Sequence, residues 1–145
     1  MIKRIKTLHE VQEIIPLIKL TMPNELYKNA IESLSTNFNE RILFGFYELN
    51  KLIGVCGYQY TNPIYLSWTV VHPDYQHKGV GQKLLNKVIR ELKKLNETSI
   101  CVETYEHPMF FNAIRFYMKN EFKLIGFLPD CSENGYTTLY LQKNF

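Results

Sequence analysis

The sequence predicts an α/β fold: a mixed central sheet of about seven strands with helices on both faces. Two observations carry this. Strand-like runs of aromatic and branched residues alternate with segments whose apolar residues recur at helical spacing. The resulting order, β-α-α-β-β-β-α-β-α-β-β, spreads the helices between the strands. Chains of that kind cover both sides of one sheet.

Each element has a local reason. Residues 1–5 read as a short first strand. Thr7 and Glu10 have the spacing of a capping box, which satisfies amide donors at a helix start. Val11, Ile14, Ile15 and Ile18 then follow at helical spacing, and Pro16 predicts a kink or division because it removes a backbone donor. A second helix covers residues 25–35, with Leu26, Ala30, Ile31 and Leu34 on its apolar side. Residues 41–49 and 52–60 form a hairpin around Asn50-Lys51. Thr61-Asn62-Pro63 turns the chain into a strand over 64–71, ended by His72-Pro73. A loop with two glycines leads into an amphipathic helix over 82–95, whose apolar set is Leu84, Leu85, Val88, Ile89, Leu92 and Leu95. A strand over 99–105, a helix over 109–119 and strands over 122–128 and 136–142 complete the order.

The 145 residues make a single domain, 1–145. With 46% apolar and 21% charged residues the chain can bury a core without disulfides, and collagen, coiled coil and disorder are excluded. A net charge of +3, from 17 basic and 14 acidic side chains, suits a small anionic ligand. It falls short of the basic stripe of a nucleic-acid binder, so no nucleic-acid partner is expected. Lys83, Lys87, Arg90, Lys93 and Lys94 read as the solvated face of their helix. Cys56, Cys101 and Cys131 form no CxxC pair, and the four histidines have no ligand spacing, so no metal is expected. No run approaches the ~18 apolar residues of a membrane span, and the first residues lack a signal-peptide core. The expectation is a cytoplasmic protein with no membrane partner.

The informative stretch runs from Val70 to Gln82, between a strand and a helix start. The first amides of a helix have no internal acceptor, and the helix dipole adds positive potential there. An anion at that point meets several donors at once. Gly79 and Gly81 permit close approach of the backbone, and Lys78 adds a mobile charge. On spacing alone two turn glycines without a ligand read equally well. The pattern is neither a Rossmann fingerprint nor a P-loop.

Gln76-x-x-Gly79-x-Gly81, after Val70-Val71-His72-Pro73, resembles the acetyl-CoA-binding motif of the GNAT superfamily of N-acetyltransferases. Residues 113–122, Ala-Ile-Arg-Phe-Tyr-Met-Lys-Asn-Glu-Phe, resemble that family's Ala-x-x-(Leu/Phe)-Tyr-x-Lys-x-Gly-Phe segment. The two motifs stand in the family's order with a strand between them, and the element order agrees along nearly the whole chain. The resemblance implies a GNAT-like sheet whose central parallel strands, 64–71 and 99–105, splay apart. It implies acetyl-CoA as cosubstrate. Val70 and Val71 would pair with the pantetheine amides. Backbone amides of Gln76, His77, Lys78, Gly79, Val80, Gly81 and Gln82 would hold the pyrophosphate, with Asn112 and Phe116 also against the cofactor. The acceptor would be a primary amine of a small molecule or peptide, and a homodimer is compatible with such a small enzyme.

Acyl transfer needs an amine that attacks the thioester, donors for the oxyanion and an acid for the leaving thiolate. Tyr117 matches the tyrosine that often serves as the acid. A phenol, with a pKa near ~10, holds its proton at neutral pH. Spacing alone favours a core aromatic beside Phe116, and the motif reverses that preference.

The chain departs from the pattern at three places. Phe110 stands where the family often has asparagine, with Asn112 two residues later. Glu121 replaces the glycine of Gly-Phe, so the turn there is expected to differ. Tyr65 occupies the place of a glutamate base. Glu103 is the first candidate base, as Glu103-Thr104 resembles a Glu-Thr pair of a family subset, and Asp130 resembles an aspartate of the same subset. A paired structural carboxylate is the competing reading of Glu103. His107 and a water chain are other sources of a base. Phe38, Phe44, Phe46, Tyr58, Tyr60 and Tyr105 predict an aromatic acceptor cleft, although strands favour aromatics in any case. The alternative function is a catalytically silent, CoA-binding GNAT-like module, motivated by the missing glutamate.

Overall fold

The computed structural model describes residues 1–129 and 135–145. Asp130 and Cys131 lie outside the described residues. In chain order the elements are β1 (Ile2–Ile5), α1 (Leu8–Gln12), α2 (Ile14–Thr21), α3 (Asn24–Thr36), β2 (Arg41–Glu48), β3 (Lys51–Gln59), β4 (Tyr65–Val71), α4 (Val80–Lys94), β5 (Ser99–Tyr105), α5 (Phe111–Lys119), β6 (Lys123–Leu128) and β7 (Thr138–Asn144). The seven strands form one sheet in the order β1-β2-β3-β4-β5-β7-β6. Only the central pair β4 and β5 is parallel; the other neighbours are antiparallel.

The capping box is present: the Glu10 amide donates to Thr7 Oγ1 at 3.2 Å, and the Thr7 amide donates to Glu10 Oε2 at 2.9 Å. The division expected at Pro16 falls at Glu13, between α1 and α2. Pro16 is therefore the third residue of α2, where its missing N–H removes no intrahelical bond. The hairpin turn lies one residue earlier than expected. Leu49 and Asn50, with φ of 49° and 63°, are its central pair, and Lys51 already belongs to β3. Two left-handed residues make the turn whose twist matches the strands.

The alternation of β2 and β3, broken in β3 at Ile53 by a register shift, sorts two cores. Ile5, Leu43, Val55 and Val70 pack beneath α1, α2 and α3 with Val11, Ile14, Ile18 and Leu34. Phe44, Ile53 and Cys56 pack on the other face with Leu84, Leu85, Val88 and Leu92 of α4 and Tyr117 of α5. The close approach of α4 requires Gly54: a Cβ there would stand 3.0 Å from Val80 Cγ1 and 3.1 Å from Leu84 Cδ1. Leu95, expected in the apolar stripe, is 50% exposed because α4 ends one residue before it. Among the described residues no helix is long and apolar enough to cross a membrane.

This register sets a stability contrast. Leu85→Ala, at a site with 0% exposure, is expected to cost about 2–5 kcal/mol in denaturant unfolding with an unchanged m-value. Leu95→Ala is expected to stay within about 0.5 kcal/mol.

Candidate functional site

The site begins with a fault in the sheet. From Val70 back to Ser67 β4 advances three residues while β3 advances two, from Val55 to Gly57. The extra residue is a bulge, and Trp68 there has a φ of 51°, rare for so bulky a side chain. Beyond the bulge β4 leaves β5. The two strands are in register only at Tyr65 and Cys101, where the Cys101 amide donates to Ile64 O at 2.8 Å. The His72 amide reaches back to Ile53 O at 2.8 Å, so Val71, one residue before it, turns its backbone groups toward the gap. The side-chain amide of Gln76 donates to Val71 O at 3.0 Å and ties the following loop to the strand end.

That loop then presents a run of free donors. The amides of Tyr75 and Gln76 close a single 3₁₀ turn, and the Lys83 amide returns to Gly79 O. The six amides between, from His77 to Gln82, meet no acceptor of the chain in hydrogen-bonding geometry among the described residues. His77 and Gly79 both have left-handed φ, 60° and 84°, which curls successive N–H groups around one concavity. Nothing lies within 4 Å of a Cβ built on Gly79. Gly81 sits against the Phe116 ring, which a Cβ at that position would meet at 3.6 Å, so α4 and α5 touch there. A cavity of about 520 Å³ opens from this loop, lined by His77, Gly79, Gly81, Gln82, Asn112 and Phe116 and running along Val70 and Val71 to Tyr117.

Tyr117 is buried at the other end of that cavity. Its position is fixed by the end of α5: the Phe122 amide donates to Tyr117 O at 3.0 Å and the Glu121 amide to Met118 O at 3.1 Å. Those two bonds form a Schellman cap, completed by contact of the Tyr117 and Phe122 rings at 5.4 Å. Glu121 takes the left-handed φ of 68° that glycine would supply, so the turn expected to differ keeps the glycine-type backbone. Lys143 Nζ bonds Asn120 O at 2.6 Å and lies 3.5 Å from the Glu121 carboxylate. The Tyr117 hydroxyl faces the Thr69 side chain. Thr69 Oγ1 also lies 3.4 Å from Cys56 Sγ. Burial pushes the Tyr117 phenol well above its ordinary range and the Cys56 thiol up to about 12, so both keep their protons at neutral pH.

A second cavity, of about 620 Å³, meets the first at Thr69, Val70, Phe110, Ala113 and Tyr117. It lies on the α3 side of the sheet, and Glu103, Tyr65, Trp68 and Tyr105 line it. Burial raises the Glu103 carboxyl above the usual carboxylate range, and no cation lies within ion-pair distance of it among the described residues.

The structure thus brings together Val70, Val71, Gln76, His77, Gly79, Gly81, Gln82, Asn112, Phe116 and Tyr117 on one cavity, and Glu103 with Tyr117 on the other, while Lys78 lies off the lining and the Val80 side chain packs into the core. The Gln76 amide is the exception in its loop, since it donates to Pro73 O at 3.3 Å. His107 Nδ1 accepts from the Met109 amide at 3.1 Å and caps a 3₁₀ turn. Of the aromatic residues expected to line an acceptor cleft only Tyr105 does so. Phe44 and Tyr58 instead face α4 in the core, and Phe38, Phe46 and Tyr60 lie off the cavity. Tyr65, Trp68 and Phe110 take their place. Sequence reasoning missed Thr69, Trp68 and Arg41. The one available signal was the lone tryptophan placed just before Val70-Val71. Among the described residues no group of His, Cys, Asp or Glu is arranged for a metal ion.

The family model of the acetyltransferase (GNAT) domain matches residues 39–124 of the chain. No curated protein matches it at a significant level. Among solved structures, a GNAT-family acetyltransferase from Desulfovibrio desulfuricans superposes with a TM-score of 0.85 at 18% identity, over 99% of this chain and 98% of its own. An aminoglycoside 6'-N-acetyltransferase in complex with coenzyme A gives a TM-score of 0.76 at 17% identity, over 99% and 96%. The ribosomal-protein-S18-alanine N-acetyltransferase of Escherichia coli gives 0.76 at 17% identity, over 99% and 94%. The family match over most of the chain, on a sheet splayed between its two parallel strands, makes this protein a member of the GNAT acetyltransferase superfamily.

Proposed function

We propose that the protein transfers an acetyl group from acetyl-CoA to a primary amine of a small molecule or peptide. The observation that carries this is the meeting of two cavities at Tyr117 and Thr69, one of them ending on six free backbone amides. The residues fit the donor by their chemistry. A pyrophosphate is matched by the curled amides from His77 to Gln82 at the start of a 15-residue helix. A pantetheine arm is matched by the backbone of Val71, which faces the gap, and Val70, Asn112 and Phe116 flank the same channel. The solved aminoglycoside enzyme with coenzyme A supports this reading by its fold.

The chemistry then follows from position. The acceptor nitrogen, in the second cavity, bonds to the thioester carbon, and the carbon–sulfur bond breaks. Glu103, on the lining of the second cavity, takes the proton that the nitrogen loses. Tyr117 gives its proton to the departing sulfur and recovers one from solvent through the cavity. Its buried phenol is never ionised at neutral pH, so it is always ready as a donor.

Three measurements test this reading. In calorimetry acetyl-CoA and CoA are expected to bind the wild type. Gly79→Trp, which puts a bulky side chain at a φ of 84° in the amide loop, is expected to abolish binding. Absence of binding to folded wild-type protein overturns the proposal. Tyr117→Phe is expected to lower kcat by about 10²–10⁴-fold with little change in the KM for acetyl-CoA. The ionised form of Glu103 is the active one, and burial raises its pKa. kcat/KM should therefore rise with pH along a limb lying above the ordinary carboxylate range, and Glu103→Gln should remove that limb.

A further inference from the structure

The two edges of the sheet are built differently. β1 forms one edge, and its exposed residues are the charged Lys3 and Arg4, between Ile2 and the buried Ile5. Charge of that kind keeps an edge strand from pairing with another chain. β6 forms the other edge, with β7 on one side and no strand on the other. Its six residues carry a single charge, on Lys123 at the start. Leu124 is 52% exposed, Ile125 57%, Phe127 59% and Leu128 45%. The register shift against β7 falls at Ile125, so even the irregular position of the strand exposes an apolar side chain rather than a charge.

Neither face of β6 is covered. Leu124 stands opposite Leu141, which packs in the core under α4, and Phe127 stands opposite Leu139, so both lie on the α4 side of the sheet. Leu128, opposite Thr138, lies on the other side. An open row of backbone donors and acceptors thus runs between two apolar surfaces. Four side chains about half exposed amount to roughly 400 Å² of apolar surface, the size at which a contiguous patch marks an interaction site.

The chemistry of the edge selects its partner. An extended edge is completed by another extended edge, and a strand laid antiparallel on its own copy is self-complementary about a two-fold axis. An axis perpendicular to the sheet carries each face onto itself. Leu124 and Phe127 of one copy then come beside the same residues of the other, and no like charges meet at the centre of the contact. A stable interface needs about 800 Å² per partner. The four side chains supply about half of that, and the paired backbone and its flanks supply the remainder. We propose that two copies of the chain join antiparallel along β6, making one continuous sheet of twice seven strands. Neither cavity lining includes a residue of β6, so both cavities stay open in the dimer.

Sedimentation and light scattering of the full chain test this from about 1 to about 100 μM. The wild type is expected at twice the mass of one chain. Leu124→Lys and Phe127→Lys place a charge at positions that are already exposed, so each should keep the wild-type circular dichroism. Each should weaken association at least about a hundredfold, because one substitution acts twice in a two-fold contact. Leu95→Lys, at an apolar position 50% exposed elsewhere, should leave the dimer unchanged. Amide exchange over residues 123–128 should be slower in the wild-type dimer than in monomeric Phe127→Lys. A wild type that stays monomeric throughout overturns the proposal, as does a dimer that both β6 variants leave intact. Equal exchange in the two forms overturns the strand pairing, and open-ended growth overturns the two-fold closure.

Discussion

One extra residue in β4 governs this molecule. A strand bordered on both sides by neighbours has no slack: an insertion must either slip the register or bulge. Here the register with β3 resumes at Val55 and Val70, so the whole displacement falls on Trp68 and Thr69. Pairing with β5 then fails beyond Tyr65. Both cavities border that failure. The bulge sends the Thr69 side chain to the α5 face, where it meets Tyr117 and Cys56, and Trp68 to the α3 face.

The second device is the end of α5. A phenol that is to act at one point must be held at both ends. Tyr117 is held at its carbonyl by the Schellman bond from Phe122 and at its ring by Phe122 and Phe116, with its hydroxyl facing Thr69. The left-handed residue such a cap needs is Glu121, and a non-glycine residue there carries a strain of about 1–2 kcal/mol. Lys143 offsets it locally by binding the adjacent Asn120 carbonyl while standing near the Glu121 carboxylate. The departure from glycine is thus absorbed by β7 without moving the helix end.

The fold was legible because alternation and helical spacing are strong in this chain. β5 falls on the residues expected, and the capping box at Thr7 and Glu10 was readable as four letters. Boundaries slipped where one residue decides them, as at Leu49-Asn50 and Leu95. The loop of free amides was legible because glycine spacing is a local property. The second cavity was not. Whether Phe44 or Tyr65 faces it depends on the register of three strands and on a bulge that leaves no mark in composition. Arg41 looked like an ordinary strand-end charge until α3 folded over it.

The open seam between β4 and β5 has a consequence for what the folded state consists of. An exposed row of backbone groups in mid-sheet is an unfinished structure, and whatever extended molecule enters it acts as the missing strand. Binding is then the last step of folding. The stability of the central strands becomes a function of ligand concentration, rising by RT ln(1 + [L]/Kd). β5, β6 and β7 are joined to the rest of the sheet by one paired position and by the helices that straddle the seam. The chain itself closes the seam between the two halves of the sheet at one paired position, Tyr65 with Cys101.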